Sequence, residues 1–448
     1  MIVMKFGGTS VQDAAAMQRL ALIVAGRAAD APVVVVSAMA QVTDTLLNLE
    51  LHTGRGDHEH AHEALDALVA RHAATADALD LDGTTMTAIT AEAEALRALL
   101  AQTLGRGWSD AERDHVVAHG ELWSSRLVTG ALRAIGADAV WVDARYVVRT
   151  DDRFGRAVPD LDIITVQADQ LLRPLVEAGH VPVTQGFIGA GPDARTTTLG
   201  RGGSDYTGAL LGAALGVRVV EIWTDVNGIM TADPRLVPNA QTLDIATYDE
   251  AAELATFGAK VLHPATALPL VERGIPIVVR NSFQPEHPGT RIMDAPSRDD
   301  IGVRSISSKR GITIVNVRMP RMLGAYGVLR EIFEVFERHE VPVDVLASSE
   351  VSVSVTIDDS AASPTLQADL ARLGEVSVLS GRAIIAIVGH GLWRTAGIPA
   401  QAFQAVRDVH IELISQGASS SNMTFVIDQS DVPGVVRRLH DAFFGTPA

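Results

Sequence analysis

The chain contains no cysteine. Disulfides, thiolate catalysis and cysteine-ligated zinc or iron–sulfur sites are thereby excluded. Aromatic residues are scarce, at 4%, while hydrophobic residues reach 47%, so the core must be aliphatic. Positive charge is in deficit, with a formal net charge of −17. A diffusely acidic surface repels nucleic acid and anionic membranes, which sets both aside as partners. Any phosphate handled by this chain must be held locally, by backbone N–H groups and a few aimed cations. No uncharged apolar run reaches membrane-spanning length; the best candidate, Gly208–Trp223, contains Arg218 and Glu221. The N-terminus reads as a short strand entering a glycine turn, without the basic and apolar regions of a leader peptide. A cytoplasmic location is expected.

At 448 residues the chain exceeds one core, and two to four domains are expected. The first half alternates β-branched runs (Ile2–Phe6, Val33–Ser37, Ala139–Val142, Val181–Gln185, Val217–Trp223, Ile275–Arg280) with helical stretches (Ala14–Ala29, Thr165–Ala178, Asp205–Leu215, Pro264–Arg273). That alternation predicts an α/β domain on a largely parallel sheet sandwiched by helices. Ligands of such sheets bind beyond the carboxyl ends of the strands. Residues 58–135 are helical in pattern and read as an excursion packed over the sheet. The stretch 284–300 gathers Pro285, Pro288, Gly289 and Pro296 and reads as a linker. Beyond it, 311–358 and 383–428 both read strand, helix, strand, strand. Val343–Leu346 rhymes with Ile411–Ile414, and Ile357 with Ile427, 70 positions on. That is a duplicated small α+β module.

Several short motifs carry chemistry. Lys5-Phe6-Gly7-Gly8-Thr9-Ser10 follows a strand and precedes a helix: two glycines admit a ligand to the backbone, the helix offers N–H groups, and Lys5 adds a point charge. The lysine precedes the glycines, so this is no Walker loop. Gly200-Arg201-Gly202-Gly203-Ser204-Asp205-Tyr206 opens another helix. Arg201 offers a donor fork suited to a carboxylate, and Asp205 falls in the first helical turn, where it could equally be a cap. Thr224 and Asp225 end an apolar strand and continue through Met230 to Arg235; a plain turn serves as well there. Lys260 and Val261 follow Phe257-Gly258, and Lys260 could equally be solvated. Glu121 stands among apolar helix residues, where a carboxylate needs a cation or donors. Thr43 begins a helix and could be no more than its cap.

In order and spacing, Lys5–Ser10, Arg201–Tyr206, Trp223–Arg235 and Gly258–Pro264 resemble the aspartate kinases of the amino acid kinase family. The remainder is similar to their paired ACT domains, with Ser415–Ser419 and Asn422 in the second. The overall length is closest to the monofunctional, lysine-sensitive type. The resemblance implies a kinase domain over 1–295, a linker over 296–310, and ACT domains over 311–380 and 381–448, each of the βαββαβ pattern. It implies transfer of the γ-phosphoryl group of ATP, with Mg²⁺, to the β-carboxylate of L-aspartate, the first step toward lysine, threonine and methionine. Lys5 and Asp205 would be catalytic. Lys5, Phe6, Gly7, Gly8, Thr224, Asp225, Met230, Arg235, Lys260 and Val261 would hold ATP. Thr43, Glu121, Arg201, Gly202, Gly203 and Ser204 would hold aspartate, with Arg201 on its carboxylate and Glu121 on its ammonium. An amino-acid effector, with lysine the first choice, would meet Met322, Gly327, Val328, Leu329, Asp344, Ser349 and Glu350, in a homodimer joined through ACT domains or in a higher oligomer.

Two alternatives accompany this reading. A related kinase could take another carboxylate acceptor, although Glu121 within His-Gly-Glu and the duplicated second half disfavour it. His58-Glu59-His60-Ala61-His62 matches the H-E-x-x-H pattern of zinc peptidases. It follows a turn-like stretch and has no evident third ligand.

Overall fold

The computed structural model describes residues 1–258, 264–294, 301–319 and 326–445. The chain divides into two compact units. The first comprises Met1–Ile229, Asp244–Tyr248 and Val261–Ala295; the second comprises Met230–Leu243, Asp249–Lys260 and Pro296–Ala448.

Strands of the first unit, numbered in chain order, are β1 (Ile2–Phe6), β2 (Pro32–Val36), β3 (Ala139–Trp141), β4 (Val181–Gln185), β5 (Ile188–Ala190), β6 (Thr196–Thr198), β7 (Val220–Thr224), β8 (Ile245–Ala246), β9 (Ile277–Asn281) and β10 (Thr290–Ile292). Eight of them form one sheet in the order β3-β4-β2-β1-β7-β9-β10-β8. Every pairing is parallel except that of β9 with β10. All residues of β1, β2 and β4 are buried, as a parallel sheet covered on both faces requires. Their Val-rich sequences suit that environment, because β-branched side chains fill a pleated surface. The helix Gly203–Leu215 packs on β1, β7 and β2, and His119–Ala134 packs on β2, β3 and β4. The helical excursion expected over 58–135 is realised as His58–Ala78, Gly83–Gln102, Asp110–Val117 and His119–Ala134, with a further helix, Val42–Gly54, ahead of it.

Two local expectations change. Thr165–Ala178 is not one helix but two, Leu161–Leu171 and Arg173–Glu177, broken at Leu172 just before Pro174, whose ring cannot continue the upstream hydrogen bonds. The hairpin of β5 and β6 went unforeseen, because three residues per strand carry too little alternation to register.

The second unit is built on a six-stranded antiparallel sheet, with β11 (Gly302–Arg318), β12 (Leu346–Ser348), β13 (Ser352–Asp358), β14 (Glu375–His390), β15 (Leu413–Gln416) and β16 (Asn422–Asp428) in the order β12-β13-β11-β14-β16-β15. The repeat in the sequence has a physical counterpart here. Thr313 pairs with Ile357, and 70 positions on, Ala383 pairs with Ile427. The helices Val328–Arg338 and Ile398–Ala405 begin at the same offset, each behind a glycine in the left-handed region, Gly327 (φ 84°) and Gly397 (φ 90°). Each module has its own core, one around Val315, Ile332, Phe336 and Ile357, the other around Ile385, Phe425, Ile427 and Val436.

Residues 302–310, expected within a linker, form the first half of β11 and pair with 383–390 of β14. Ile306 from this half is buried in the core of the second module. Its Ser- and Arg-rich sequence gives little strand signal by itself; β14 supplies the partner that makes it one.

Candidate functional site

The carboxyl ends of β1, β2, β4 and β7 converge. Ser37 N–H donates to Phe6 C=O (3.1 Å), Gly186 N–H to Val36 C=O (2.8 Å) and Gly7 N–H to Trp223 C=O (3.0 Å). A cavity of about 390 Å³ opens beyond these ends. It is lined by Lys5 of β1 and Gly8 just after it, by Ser37–Gln41, Thr43 and Asp44 after β2, by Phe187 after β4, by Glu121, and by Gly200–Asp205. The structure thus brings together every residue expected to hold the substrate (Thr43, Glu121, Arg201, Gly202, Gly203 and Ser204) with both expected catalytic residues, Lys5 and Asp205.

Lys5 is the second-to-last residue of the buried β1 strand, and its Nζ lies 2.7 Å from Asp205 Oδ1. Helix Gly203–Leu215 can approach because Gly208 has no side chain: a Cβ there would lie 3.3 Å from that of Lys5. The cap of that helix is Gly202 (φ 74°), with no side-chain cap bond. Asp205 is therefore not the cap; its carboxylate serves Lys5 instead. Thr43 likewise does not cap its helix, since Gln41 (φ 68°) occupies that position.

Glu121 is 3% exposed. Its Oε1 accepts the Ala38 N–H (3.1 Å), and its Oε2 has no hydrogen-bond partner among the described residues. Burial pushes the carboxyl up to about 8, against the opposing pull of the Ala38 N–H and the Lys5 charge. A buried acid with one free oxygen on a cavity can receive a cation. Arg201, in contrast, is exposed on the rim and makes no ion pair among the described residues, which leaves its donors available to an anion.

The turn after β1 departs from expectation. Gly8–Val11 is a short 3₁₀ turn, and the α-helix starts only at Ala14, where Asp13 accepts the Ala16 N–H (2.8 Å). Asp13 takes one N–H of that helix end, and the Gly7 N–H is committed to Trp223 C=O, so a phosphate at this turn would meet the N–H groups from Gly8 onward. Phe6 is buried and stacks on Trp223, with ring centroids 5.8 Å apart; it shapes the strand ends rather than facing the cavity. At the end of β7, Thr224 Oγ1 donates to Asp225 Oδ1 (3.1 Å). Met230 and Arg235 belong to the second unit; Arg235 is exposed and paired with Asp233 (2.7 Å). Lys260 and Val261 lie outside the described residues.

Of the expected effector residues, Gly327, Val328 and Leu329 begin the helix after β11, and Ser349 and Glu350 are exposed between β12 and β13. Asp344 is paired with Lys309 Nζ (2.7 Å), which also meets Asp358 (2.9 Å). Met322 lies outside the described residues. His58 and His62 lie side by side in the first turns of helix His58–Ala78, with ring centroids 3.8 Å apart and their planes tilted by 34°. No group of three or more His, Asp or Glu side chains placed to hold a metal is found among the described residues.

The sequence reading missed Ser37–Gln41 as cavity wall and Phe187 as its far side. The signal was present: both segments directly follow parallel strands, where sheets of this kind hold ligands.

Comparison with known proteins follows the same division. Residues 1–281 match the amino acid kinase family, and residues 385–443 match the ACT domain. The chain is 40% identical over 451 residues to lysine-sensitive aspartokinase 3 of Escherichia coli, covering 99% of each. The crystal structure of E. coli aspartokinase III with aspartate and ADP, described as the R-state, superposes with a TM-score of 0.86 at 39% identity, covering 99% of this chain and 100% of that one. Its T-state complex with lysine and aspartate gives 0.85 at 39% identity, covering 99% of both.

Proposed function

Since this chain belongs to the amino acid kinase family, among its aspartokinases, we propose that it transfers the γ-phosphoryl group of ATP to the β-carboxylate of L-aspartate, giving 4-phospho-L-aspartate. One observation carries the reading: the Lys5–Asp205 pair, the half-satisfied Glu121 and the unpaired Arg201 all face one cavity. Glu121 takes the substrate ammonium and Arg201 its α-carboxylate, with Thr43 and the backbone of Gly202–Ser204 completing the pocket. This leaves the β-carboxylate directed at Lys5.

The acceptor, with an ordinary pKa of about 3.9, is already ionised at neutral pH, so no base is required. Catalysis then consists of in-line positioning and neutralisation of charge on the phosphoryl oxygens. Lys5 supplies the positive charge at the transferring group, and Asp205 holds the ammonium in place. Gly7 and Gly8 let the backbone approach the phosphates, with N–H groups offered from Gly8 onward. Thr224 and Asp225, with Met230, Arg235, Lys260 and Val261, are assigned to the nucleotide. Mg²⁺ enters as the complex with ATP: it prefers oxygen ligands and keeps several waters, in accord with the sparse carboxylates at the cavity. Dependence on ATP also supports a cytoplasmic place of work.

The second unit carries the regulation. Feedback by lysine, sensed around Gly327, Val328, Leu329, Asp344, Ser349 and Glu350 together with Met322, is supported by the two acids, which suit a cationic amino acid. The duplicated modules, with limits near 310 and 380, support a homodimer joined through them. Incubation with ATP, Mg²⁺ and hydroxylamine tests the activity, using aspartate, glutamate or acetylglutamate as acceptor in turn. Hydroxamate from aspartate is expected; product from another acceptor alone, or none, overturns the proposal.

A further inference from the structure

Asp114 lies in helix Asp110–Val117, within the helical excursion, and is 2% exposed. No motif pointed to it. Both its oxygens accept the Gly155 N–H (3.0 and 2.9 Å); Oδ2 also accepts the Thr198 N–H (2.7 Å), and Oδ1 the Thr198 hydroxyl (2.9 Å). Thr198 ends β6, two residues before Gly200. Gly200 itself (φ 74°) rests on the Gly155 backbone so closely that a Cβ would come within 3.0 Å of Gly155 C=O. Ala157 N–H donates to Thr198 C=O (2.9 Å), tying the same two segments again. One buried carboxylate therefore clamps both segments from which the Gly200–Gly203 turn, and with it Arg201, is suspended.

Asp114 precedes Glu121 by seven residues along two consecutive helices. This places the residue that receives the substrate ammonium and the residue that holds the carboxylate-binding turn on one rigid run. We propose that Asp114 is a positioning residue for the amino-acid substrate: it fixes Arg201 relative to Glu121 and so sets the affinity for the acceptor, without touching it. The inference rests on the assignment of Arg201 and Glu121 to that substrate.

Asp114→Asn keeps the shape but turns one acceptor into a donor facing N–H groups. The loop then loses a bond, and the aspartate KM is expected to rise roughly 10-fold, with the ATP KM and melting temperature little changed. Thr198→Val, which removes only the hydroxyl contact, should give a smaller rise of the same pattern. Steady-state kinetics in both substrates and calorimetric binding of aspartate provide the readout. An unchanged aspartate KM in Asp114→Asn overturns the inference, as does a parallel fall in stability and in affinity for both substrates. If Asp114→Asn does not fold, Thr198→Val decides: an unchanged aspartate KM there rejects the proposal. Wild-type protein that makes no aspartyl hydroxamate would instead reject the functional reading itself, so the two failures are separable.

Discussion

The ammonium of Lys5, at the end of the first strand, lies 2.7 Å from the carboxylate of Asp205, in the first turn of a helix far along the chain. Neither residue is spent elsewhere: Asp205 is not the helix cap, and Lys5 is buried with no other ion pair among the described residues. Asp205 holds the Lys5 ammonium at the cavity wall. Lys5→Ala should lower kcat at least ~100-fold, the usual cost of losing one preorganised electrostatic group, with a smaller effect on the aspartate KM. Because Asp205 would then face the phosphates unpaired, Lys5→Ala/Asp205→Asn should fall short of the summed single effects. Near-normal turnover of Lys5→Ala removes the residue from the mechanism.

Glu121 makes both stability and aspartate binding depend on pH. Burial holds its carboxyl at about 8, against an ordinary 4.5. Between those values the folded protein keeps a proton that the unfolded chain releases, so this group's contribution to stability declines from about 4.5 and is gone by about 8. A substrate ammonium reverses the preference and favours the carboxylate, so aspartate binding expels a proton. Affinity for aspartate should rise toward pH 8 and level off above it. Glu121→Gln should weaken aspartate on the order of 100-fold, abolish the proton release and make the unliganded protein more stable above pH 8. Calorimetry in two buffers of different ionisation enthalpy measures the released proton; undiminished release in the variant assigns it to another group.

Arg201 offers a contrast in kinetics. It is exposed at the rim, and in the proposed binding mode it meets only the substrate's unreactive carboxylate, which makes its contribution uniform between ground and transition states. Arg201→Ala should raise the aspartate KM ~10- to 100-fold while kcat and the ATP KM stay near wild type. A fall in kcat with no change in KM would place the guanidinium on the reacting groups instead.

These residues were legible because each sits where chemistry and backbone geometry coincide: a lysine before two glycines at a strand end, an arginine between glycines, an acid in an apolar helix. The duplication was legible for a similar reason, since Ile357 and Ile427 occupy the same register position against neighbouring central strands. What escaped depends on partners distant in sequence. Asp114 has no local signature, because its donors come from a loop and a hairpin unconnected to its helix. Residues 302–310 show little strand pattern until β14 lies beside them. The helix expected directly after the Lys5 turn starts later, because a 3₁₀ turn intervenes and Asp13 caps the helix by accepting the Ala16 N–H.

Lys309 stands in the way of a cationic effector. Its ammonium already occupies Asp344, an acid assigned to a cationic effector, and also pairs with Asp358. Desolvation opposes its charge, yet the two carboxylates hold its pKa above the usual lysine value, so it stays charged across the physiological range. An incoming ammonium must share or displace this tethered one, which lowers the net negative potential it meets. Lys309→Met keeps much of the stem's apolar volume but removes the competing charge. The concentration of lysine giving half-maximal inhibition should then fall several-fold, on the order of 1 kcal/mol for a partly exposed pair, and the gain should shrink at high salt as the two acids are screened. Basal kinase activity without effector serves as the control. Weaker inhibition by lysine in Lys309→Met would mean that Lys309 instead orients Asp344 for binding, and unaltered inhibition would remove Asp344 from the effector site.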